Sequence, residues 1–127
     1  NTFVGAANLM PGTVGACDGD SATVELTGGD RITGRPMQPM QPGDRAVACI
    51  RPEQLRRTGT GIPATVEMGL PLGAMIVHEA RLASGASIKI SEPREAGAEP
   101  LAGGTPIFIA PAGPRAATIF PAPRVPA

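Results

Sequence analysis

The sequence predicts an all-β protein, a small barrel structure assembled from two similar β units. Prolines and glycines are frequent, 15 and 17 of the 127 residues, and they lie scattered between short apolar runs. This spacing is typical of short strands joined by tight turns. The two halves of the chain also resemble each other, which indicates a repeated unit. The matching segments are Pro11–Val14 with Pro63–Val66, Glu25–Thr33 with Ala80–Ile88, and Pro42–Ala48 with Ala102–Phe108.

The joint between the two units is predicted at 58–61, where the polar segment Thr-Gly-Thr-Gly separates the two patterns. We therefore expect a first β unit over residues 1–58 and a second over residues 59–127, each with about five short strands. Five short strands bury little apolar surface by themselves. We expect the two units to pack together as one domain and to complete one core.

In the first unit, turn residues divide the chain into strands. Asp18-Gly19-Asp20 is a turn of the type that favours hairpins, and residues 36–42 should form an extended, polyproline-like loop. The run Ala22–Leu26 alternates apolar and polar residues, so its apolar side chains should share one face. The predicted strands are Thr13–Cys17, Ala22–Leu26, Arg31–Thr33 and Ala46–Ile50.

The stretch Gly43–Arg57 contains the closing strand of the first unit. The strand Ala46–Ile50 follows a Pro-Gly-Asp turn and is short, apolar and partly β-branched. Pro52 has no N–H group for a ladder and favours extended geometry in the residue before it, so the strand should end there. Residues Glu53–Arg57 should form one helical turn with Pro52 at its first position.

The second unit repeats this organisation. In its first strand, the alternation predicts that Val66, Met68 and Leu70 lie opposite Thr65 and Glu67. A long loop rich in Glu, Pro, Gly and Ala is expected from residue 91 to 104. The predicted strands are Ile62–Leu70, Ala74–Leu82, Ser87–Ile90, Thr105–Ala110 and Thr118–Phe120.

The two ends of the chain are expected to lie outside the strands. Residues 2–12 should lead into the first strand, anchored by Phe3, Val4 and Leu9, and the tail 121–127 should be frayed. The chain begins at Asn1 rather than Met, which favours a piece excised or processed from a longer protein.

Composition argues against several classes of partner. The formal net charge is zero, there is no Trp or Tyr, and Phe occurs three times. A nucleic-acid binder normally carries a basic surface, and a single-strand binder also carries aromatic stacking platforms. No apolar run approaches the ~18 residues that a membrane helix needs, and no signal peptide is visible.

No catalytic or metal-binding constellation is predicted. The two cysteines, Cys17 and Cys49, belong to no Cys-x-x-Cys pair, and there is a single histidine. Free thiols in small strand or core positions, in a reducing cytoplasm, are favoured for the cysteines, with a disulfide as the alternative. His78 shares a strand face with Ile76 and Ala80, which favours a structural or surface role over a general base.

The charged residues around Pro52 allow two interpretations. Arg51, Glu53, Arg56 and Arg57 could recognise an anionic ligand or partner. They could equally form a solvated cluster in which each charge contributes little to stability. The sequence leaves both interpretations open.

Several segments resemble a known family. Phe3–Val14, Gly28-Gly29 and Gly43–Glu53 resemble the C-terminal transport-associated OB (TOBE) region of the ATP-binding subunits of ABC importers. The most specific piece is Ile50-Arg-Pro-Glu53 behind a Gly-Asp turn. The second half is similar to the same region, and the whole looks like the spermidine/putrescine-type and related subunits. Its matching segments are Ala64–Val66, Leu82–Gly85, Gly104–Phe108 and Ile119-Phe120.

The resemblance implies an OB-like β-barrel fold (TOBE/MOP-like) that follows a nucleotide-binding domain. ATP and Mg would bind only in that missing upstream domain, so no cofactor is expected in this chain. Asn8, Arg51, Pro52 and Glu53 match family positions, which implies structural or regulatory roles rather than catalytic ones. We expect Arg51 and Glu53 to lie at the seam between the halves, so that Arg51→Ala lowers thermal stability.

The resemblance also implies partners and a function. The expected partners are the chain's own nucleotide-binding domain, a second copy of the subunit and, indirectly, the membrane subunits of a bacterial transporter. The location would be cytoplasmic and peripheral to the inner membrane. We predict a regulatory and dimerisation domain without catalytic activity of its own. The alternative is a domain that senses an oxyanion or a polyamine; the anion-site sequence of the molybdate-binding version of the fold is not seen here.

Overall fold

The chain forms a closed β-barrel and a second β-sheet. The structure, a computed structural model, describes residues 7–95 and 98–122. Within these ranges every regular element is a strand except one 3₁₀ turn at Pro52–Gln54, which confirms the all-β prediction. The strands are β1 Asn8–Asp18, β2 Ser21–Leu26, β3 Arg31–Pro36, β4 Arg45–Ile50, β5 Leu55–Thr58, β6 Ile62–Leu72, β7 Met75–Leu82, β8 Ser87–Pro93, β9 Pro106–Pro111 and β10 Ala117–Pro121.

The barrel is closed by a strand from the far end of the chain. Its order is β1-β2-β3-β10-β4, and β4 pairs with β1 to complete the circle. β10 runs parallel to β3 and antiparallel to β4, with Ile119 opposite Pro36 on one side and Ala48 on the other. A Cβ atom at Gly34 would lie 2.5 Å from the carbonyl oxygen of Ala117. Glycine at this position therefore lets β10 approach β3.

The second sheet has the order β5-β9-β6-β7-β8, and all its neighbouring strands are antiparallel. Its edge strands β5 and β8 come near each other without a ladder of backbone hydrogen bonds. Instead, Arg57 on β5 and Glu92 on β8 form an ion pair across the opening, with 2.9 Å between Nε and Oε1. This opening forms a cleft between β5 and β8.

Backbone pairing crosses the expected boundary between residues 58 and 59. β5 precedes that boundary but pairs with β9 in the second sheet, and β10 follows it but completes the barrel. The division into domains at 58/59 stays a prediction, while the hydrogen-bonded sheets consist of β1–β4 with β10 and of β5–β9. The barrel thus receives its fifth strand from the far end of the chain, whereas the second sheet consists of five consecutive strands.

One hydrophobic cluster connects the two sheets. It contains Met10 and Ile50 of the barrel together with Leu55, Ile90 and Ile109 of the second sheet. All five side chains are at most 1% exposed. Burial of apolar surface contributes about 25 cal/mol per Å², so neither sheet would retain its core without the other.

Several strands are longer than the sequence predicts. β1 begins at Asn8 rather than Thr13, because its first half pairs with β4 while its second half pairs with β2. β8 continues to Pro93, so the loop expected from residue 91 begins at Arg94. The extra residues of β1 pair with β4, which is distant in sequence, whereas those of β8 pair with residues 75–77 of the preceding strand β7.

A β-bulge in β6 corrects the expected alternation of the second unit. The pairing with β7 shifts between Val66 and Met68, so Glu67 is the extra residue. Val66 is buried, whereas Met68 and Leu70 are each 42% exposed. The prediction that these three side chains share a face was wrong, because a bulge exchanges the faces of all later residues in the strand.

The turn after β4 is shorter than expected. Pro52 begins a 3₁₀ turn that ends at Gln54, and strand β5 follows at once where the sequence predicted a helical turn over Glu53–Arg57. Pro52 does occupy a first-turn position, as predicted. Residues 55–58 form an extended strand because they pair with β9 in an antiparallel ladder.

Two expectations concern residues outside the described ranges. The residues outside the described ranges include the expected anchors Phe3 and Val4 and residues 123–127 of the tail. In the described part of the chain, no helix is long and apolar enough to cross a membrane.

Candidate functional site

A cleft of about 500 Å³ opens between the edge strands β5 and β8. Arg56 and Arg57 of β5 form one wall, Glu92 of β8 forms the other, and His78 of β7 lies among the lining residues. The loop between β8 and β9 covers one end with Leu101. The cleft exists because the second sheet does not close by backbone pairing at this point.

His78 is buried at the base of the cleft, with a side chain only 3% exposed. Its Nε2 atom accepts a hydrogen bond from the backbone N–H of Leu101, at 2.9 Å. A neutral imidazole has one acceptor nitrogen and one N–H. Since Nε2 is the acceptor, the proton of neutral His78 is on Nδ1.

Gly69 provides the space for this contact. It lies opposite His78 in the β6–β7 pair. A Cβ atom at this position would lie 2.7 Å from Cβ of Pro100 and 2.8 Å from Cδ2 of His78. Any larger residue would push the imidazole and the covering loop apart.

The Nδ1 atom of His78 is buried and has no hydrogen-bond partner among the described residues. The nearest ionised group is Glu92, whose Oε1 lies 4.0 Å away, beyond hydrogen-bond distance. The same oxygen already accepts a hydrogen bond from Nε of Arg57.

The surroundings lower the pKa of His78 below its ordinary value of 6.5. Burial is the main cause, because it disfavours the charged imidazolium. The positive charge of Arg57 lowers the pKa further, and the negative charge of Glu92 opposes the shift. His78 is therefore neutral at pH 7.

The cleft carries a negative formal charge. Its lining contains four carboxylates and two guanidinium groups, and the neutral His78 adds none, so the formal charge is −2. The apolar side chains of the lining belong to Leu55, Met75, Ile76, Pro93, Ala98 and Leu101. The charged lining residues are Glu53, Glu92, Glu95, Glu99, Arg56 and Arg57.

The structure separates the charged residues around Pro52. Glu53 lines the cleft with Arg56 and Arg57, whereas Arg51 lies in a different depression on the barrel side, near Cys49 and Thr118. Arg51 and Glu53 are exposed and Pro52 is buried. The segment connects β4 of the barrel to β5 of the second sheet. The expectation that Arg51 and Glu53 lie at the seam between the halves stays a prediction.

Asn8 makes a direct link between the two sheets. Its side-chain amide donates to the carbonyl oxygen of Lys89 at 2.8 Å, and its Oδ1 accepts from the N–H of Lys89 at 2.7 Å. Asn8 is only 5% exposed. The side-chain amide thereby forms with edge strand β8 the two hydrogen bonds that the backbone of a neighbouring strand would form.

From the sequence, His78 was expected to have a structural or surface role, and its partners were not predicted. Leu101 and Glu92 are far from it along the chain, and Leu101 takes part through its backbone, which carries no sequence signal. Gly69 was a usable signal, because a glycine inside a strand often marks a close approach.

Metal and thiol chemistry find little support in the described residues. No group of three or more His, Cys, Asp or Glu side chains there could hold a metal ion. Both cysteines are free: Cys17 is exposed and Cys49 is half-buried. Both lie on strands, as expected, but Cys17 is not a core residue.

Comparison with known proteins gives consistent matches. The family model of the TOBE domain matches residues 48–120. The chain is 30% identical over 95 residues to the spermidine/putrescine import ATP-binding protein PotA 1 of Pseudomonas aeruginosa. That match covers 72% of this chain but 26% of the relative, so the chain spans about a quarter of that protein's length.

A solved structure has the same fold. The cytoplasmic molybdate-binding protein ModG, crystallised with molybdate bound, matches with a TM-score of 0.71, covering 88% of this chain and 94% of that one. The sequence identity is 18%, so the likeness concerns the fold. It supports the predicted OB-like all-β architecture.

Proposed function

Because this chain belongs to the TOBE domain family, we propose that it is the C-terminal regulatory and dimerisation domain of an ATP-binding subunit of a polyamine-type ABC importer. The observation that carries the proposal is the 30% identity to a spermidine/putrescine import ATP-binding protein, of which this chain matches about a quarter. ATP and Mg would bind in another part of such a subunit. The domain itself would perform no catalysis.

The proposal includes partners and a location. This domain would contact its own nucleotide-binding domain and a second copy of the subunit, and it would act on the membrane subunits indirectly. The complex would lie on the cytoplasmic side of the inner membrane of a bacterium. The two interlocked sheets support a role as a rigid body, because a movement of one sheet is passed to the other through the common core.

The regulatory role is tested in the longer protein that contains this domain. Deleting residues 1–127 should leave ATP hydrolysis measurable, weaken subunit dimerisation and remove the response of hydrolysis to transported solute. The 127-residue chain alone should hydrolyse no ATP. Metal-dependent ATP turnover by the purified chain, or an unchanged dimer and solute response after the deletion, would refute the proposal.

A second candidate function is the sensing of a small ligand in the cleft. Its formal charge of −2 favours a cation over an oxyanion, and its apolar side chains suit a methylene chain. Aliphatic diammonium ions such as putrescine combine these two properties. The carboxylates would bind the ammonium groups, while His78 would pack against them without accepting a hydrogen bond, since its Nδ1 carries a proton.

Calorimetry distinguishes the two ligand classes. Putrescine and spermidine should give a saturable heat that Glu53→Gln and Glu92→Gln weaken, whereas Glu25→Gln, an exposed carboxylate of the barrel, should not weaken it. A saturable heat with molybdate or sulfate instead would support oxyanion binding. Heat with none of them would leave only the regulatory role.

A further inference from the structure

The hydrogen bond between Leu101 and His78 attaches the loop after β8 to strand β7 across the end of the cleft. Ala98, Glu99 and Leu101 of this loop line the cleft. The Cβ atom of Pro100 would lie 2.7 Å from a Cβ atom placed on Gly69. Further along the loop, Gly104 and Thr105 bond to the backbone of Val66. The loop therefore has a permanent anchor on β6 and a second anchor that depends on one imidazole nitrogen.

That nitrogen is also the only place for a second proton on His78. Neutral His78 already carries its proton on Nδ1, so protonation must occur at Nε2. A protonated Nε2 has no lone pair left to accept the N–H of Leu101. In addition, two N–H groups would then point at each other at 2.9 Å between the nitrogens. Imidazolium and the Leu101 hydrogen bond are mutually exclusive.

The surrounding charges can stabilise the protonated form once the bond is broken. Glu92 on β8 faces Nδ1 at 4.0 Å, and Arg57 on β5 occupies the same carboxylate oxygen. On β6 the position opposite His78 is Gly69, which brings no charge. The other charged groups that line the cleft are Arg56 on β5, Glu53 on the 3₁₀ turn, and Glu95 and Glu99 in the loop.

We propose that His78 is a proton-controlled latch: protonation of its Nε2 breaks the hydrogen bond from the Leu101 backbone and releases residues 98–101 from the end of the cleft. The protonated imidazole then competes with Arg57 for Glu92. The neutral protein is the closed state, and a fall in pH opens the cleft. This inference goes beyond the proposed regulatory role and does not depend on it, because all its parts lie in this chain.

The chain has a single histidine, so NMR can follow the latch without ambiguity. In a uniformly ¹⁵N-labelled chain at pH 8, the imidazole signals should show the tautomer with hydrogen on Nδ1. Between pH 8 and pH 4.5, the Leu101 amide shift should change with the same midpoint as the imidazole nitrogens. The protection factor of that amide should fall at least tenfold across the midpoint.

Variants of the ion pair test the electrostatic part. Arg57→Gln removes a positive charge near His78 and should raise the midpoint of both signals. Glu92→Gln removes a negative charge and should lower it. The matched controls are Arg31→Gln and Glu25→Gln, an exposed ion pair of the barrel with 3.5 Å between Nη2 and Oε2, and they should leave the midpoint unchanged.

His78→Gln supplies the final test, because an amide oxygen can accept from Leu101 and does not titrate in this range. The Leu101 amide should then be insensitive to pH. If this variant does not fold, the Arg57 and Glu92 variants decide, since both side chains are at the surface of the cleft. A neutral tautomer with hydrogen on Nε2, or a Leu101 amide that ignores the His78 titration, would overturn the proposal.

Discussion

At the scale of single residues, Asn8 is the clearest link between sequence and tertiary structure. Its amide satisfies both backbone groups of Lys89, a residue 81 positions away, while its own backbone pairs with Ile50 in the barrel. Arg51, which the sequence analysis also selected, is exposed and makes no side-chain hydrogen bond or ion pair with the other described residues. Of these two side chains, the neutral amide of Asn8, and not the guanidinium of Arg51, forms hydrogen bonds between the sheets.

Asn8→Ala should lower the free energy of unfolding by about 2 kcal/mol, because it removes both partly buried hydrogen bonds between the side-chain amide and the backbone of Lys89. Arg51→Ala should change it by less than about 0.5 kcal/mol, as expected for an exposed side chain away from buried contacts. This revises the sequence-based expectation for Arg51. Urea denaturation followed by circular dichroism measures both, and a larger loss for Arg51→Ala than for Asn8→Ala would contradict the assignment.

The protonation of His78 should make stability depend on pH. Its pKa is lowered in the folded protein, so the unfolded chain, with a pKa near 6.5, binds the proton more readily. The contribution is therefore fully present above about pH 6.5 and is lost as the pH falls through the lower, folded-state pKa. Urea denaturation at several pH values in this window should show the decline.

The decline in this window should be smaller in His78→Gln, because the glutamine side chain does not titrate. All other titratable groups are the same in the two proteins. An equal decline in the two proteins would assign the pH dependence to other groups.

At the scale of elements, the β6–β7 pair and its loop form one packed unit. The bulge at Glu67 places Met68 and Leu70 on the outer face and leaves Gly69 facing His78. With Pro100 on the other side, the three residues fill the space between β6 and the loop. A single extra residue in the strand thereby determines which residue faces His78 and Pro100.

Gly69→Ala should destabilise the protein by about 1–3 kcal/mol, because the added methyl group would overlap with Pro100 and His78. The matched control is Gly59→Ala in the turn between β5 and β6, where a Cβ would meet no atom within 4 Å. This control should be neutral or slightly stabilising. Thermal unfolding measures both, and equal melting temperatures for the two variants would show that the loop does not pack on β6 as described.

At the scale of the whole molecule, the barrel is completed by a strand from the far end of the chain. The second sheet consists of the consecutive strands β5–β9, and β10 returns to pair with β3 and β4. The chain therefore cannot be cut between β4 and β5 without separating β10 from the barrel. We expect the two sheets to unfold together, because they also share one hydrophobic cluster.

Truncation after residue 113 should prevent the barrel from closing, because it removes β10 and exposes the facing edges of β3 and β4. Truncation after residue 122 keeps every described strand and is the matched control. The shorter chain should lose amide protection in β1–β4 and tend to associate, and the control should retain it. Native-like protection of β4 in the shorter chain would refute the role of β10 as the closing strand.

The local features of this protein follow from the sequence alone. The alternation in Ala22–Leu26, the Asp-Gly turn at residue 19 and the stop at Pro52 depend on the chemistry of neighbouring residues, and the structure confirms them. The family membership was also accessible, because the Ile50-Arg-Pro-Glu53 motif lies on consecutive residues. Asn8 could be selected as a structural position, but its partner Lys89 could not be named.

Tertiary structure decided which strands share a sheet, where the bulge falls and which groups meet in the cleft. The return of β10 to the barrel and the contact between His78 and Leu101 both join residues far apart in the chain. Their energies come from backbone hydrogen bonds and shared burial, which depend on geometry rather than on residue type. Turn and strand propensities act over a few residues, so they determine the individual strands and turns. How these strands pair into sheets is determined by the packed core.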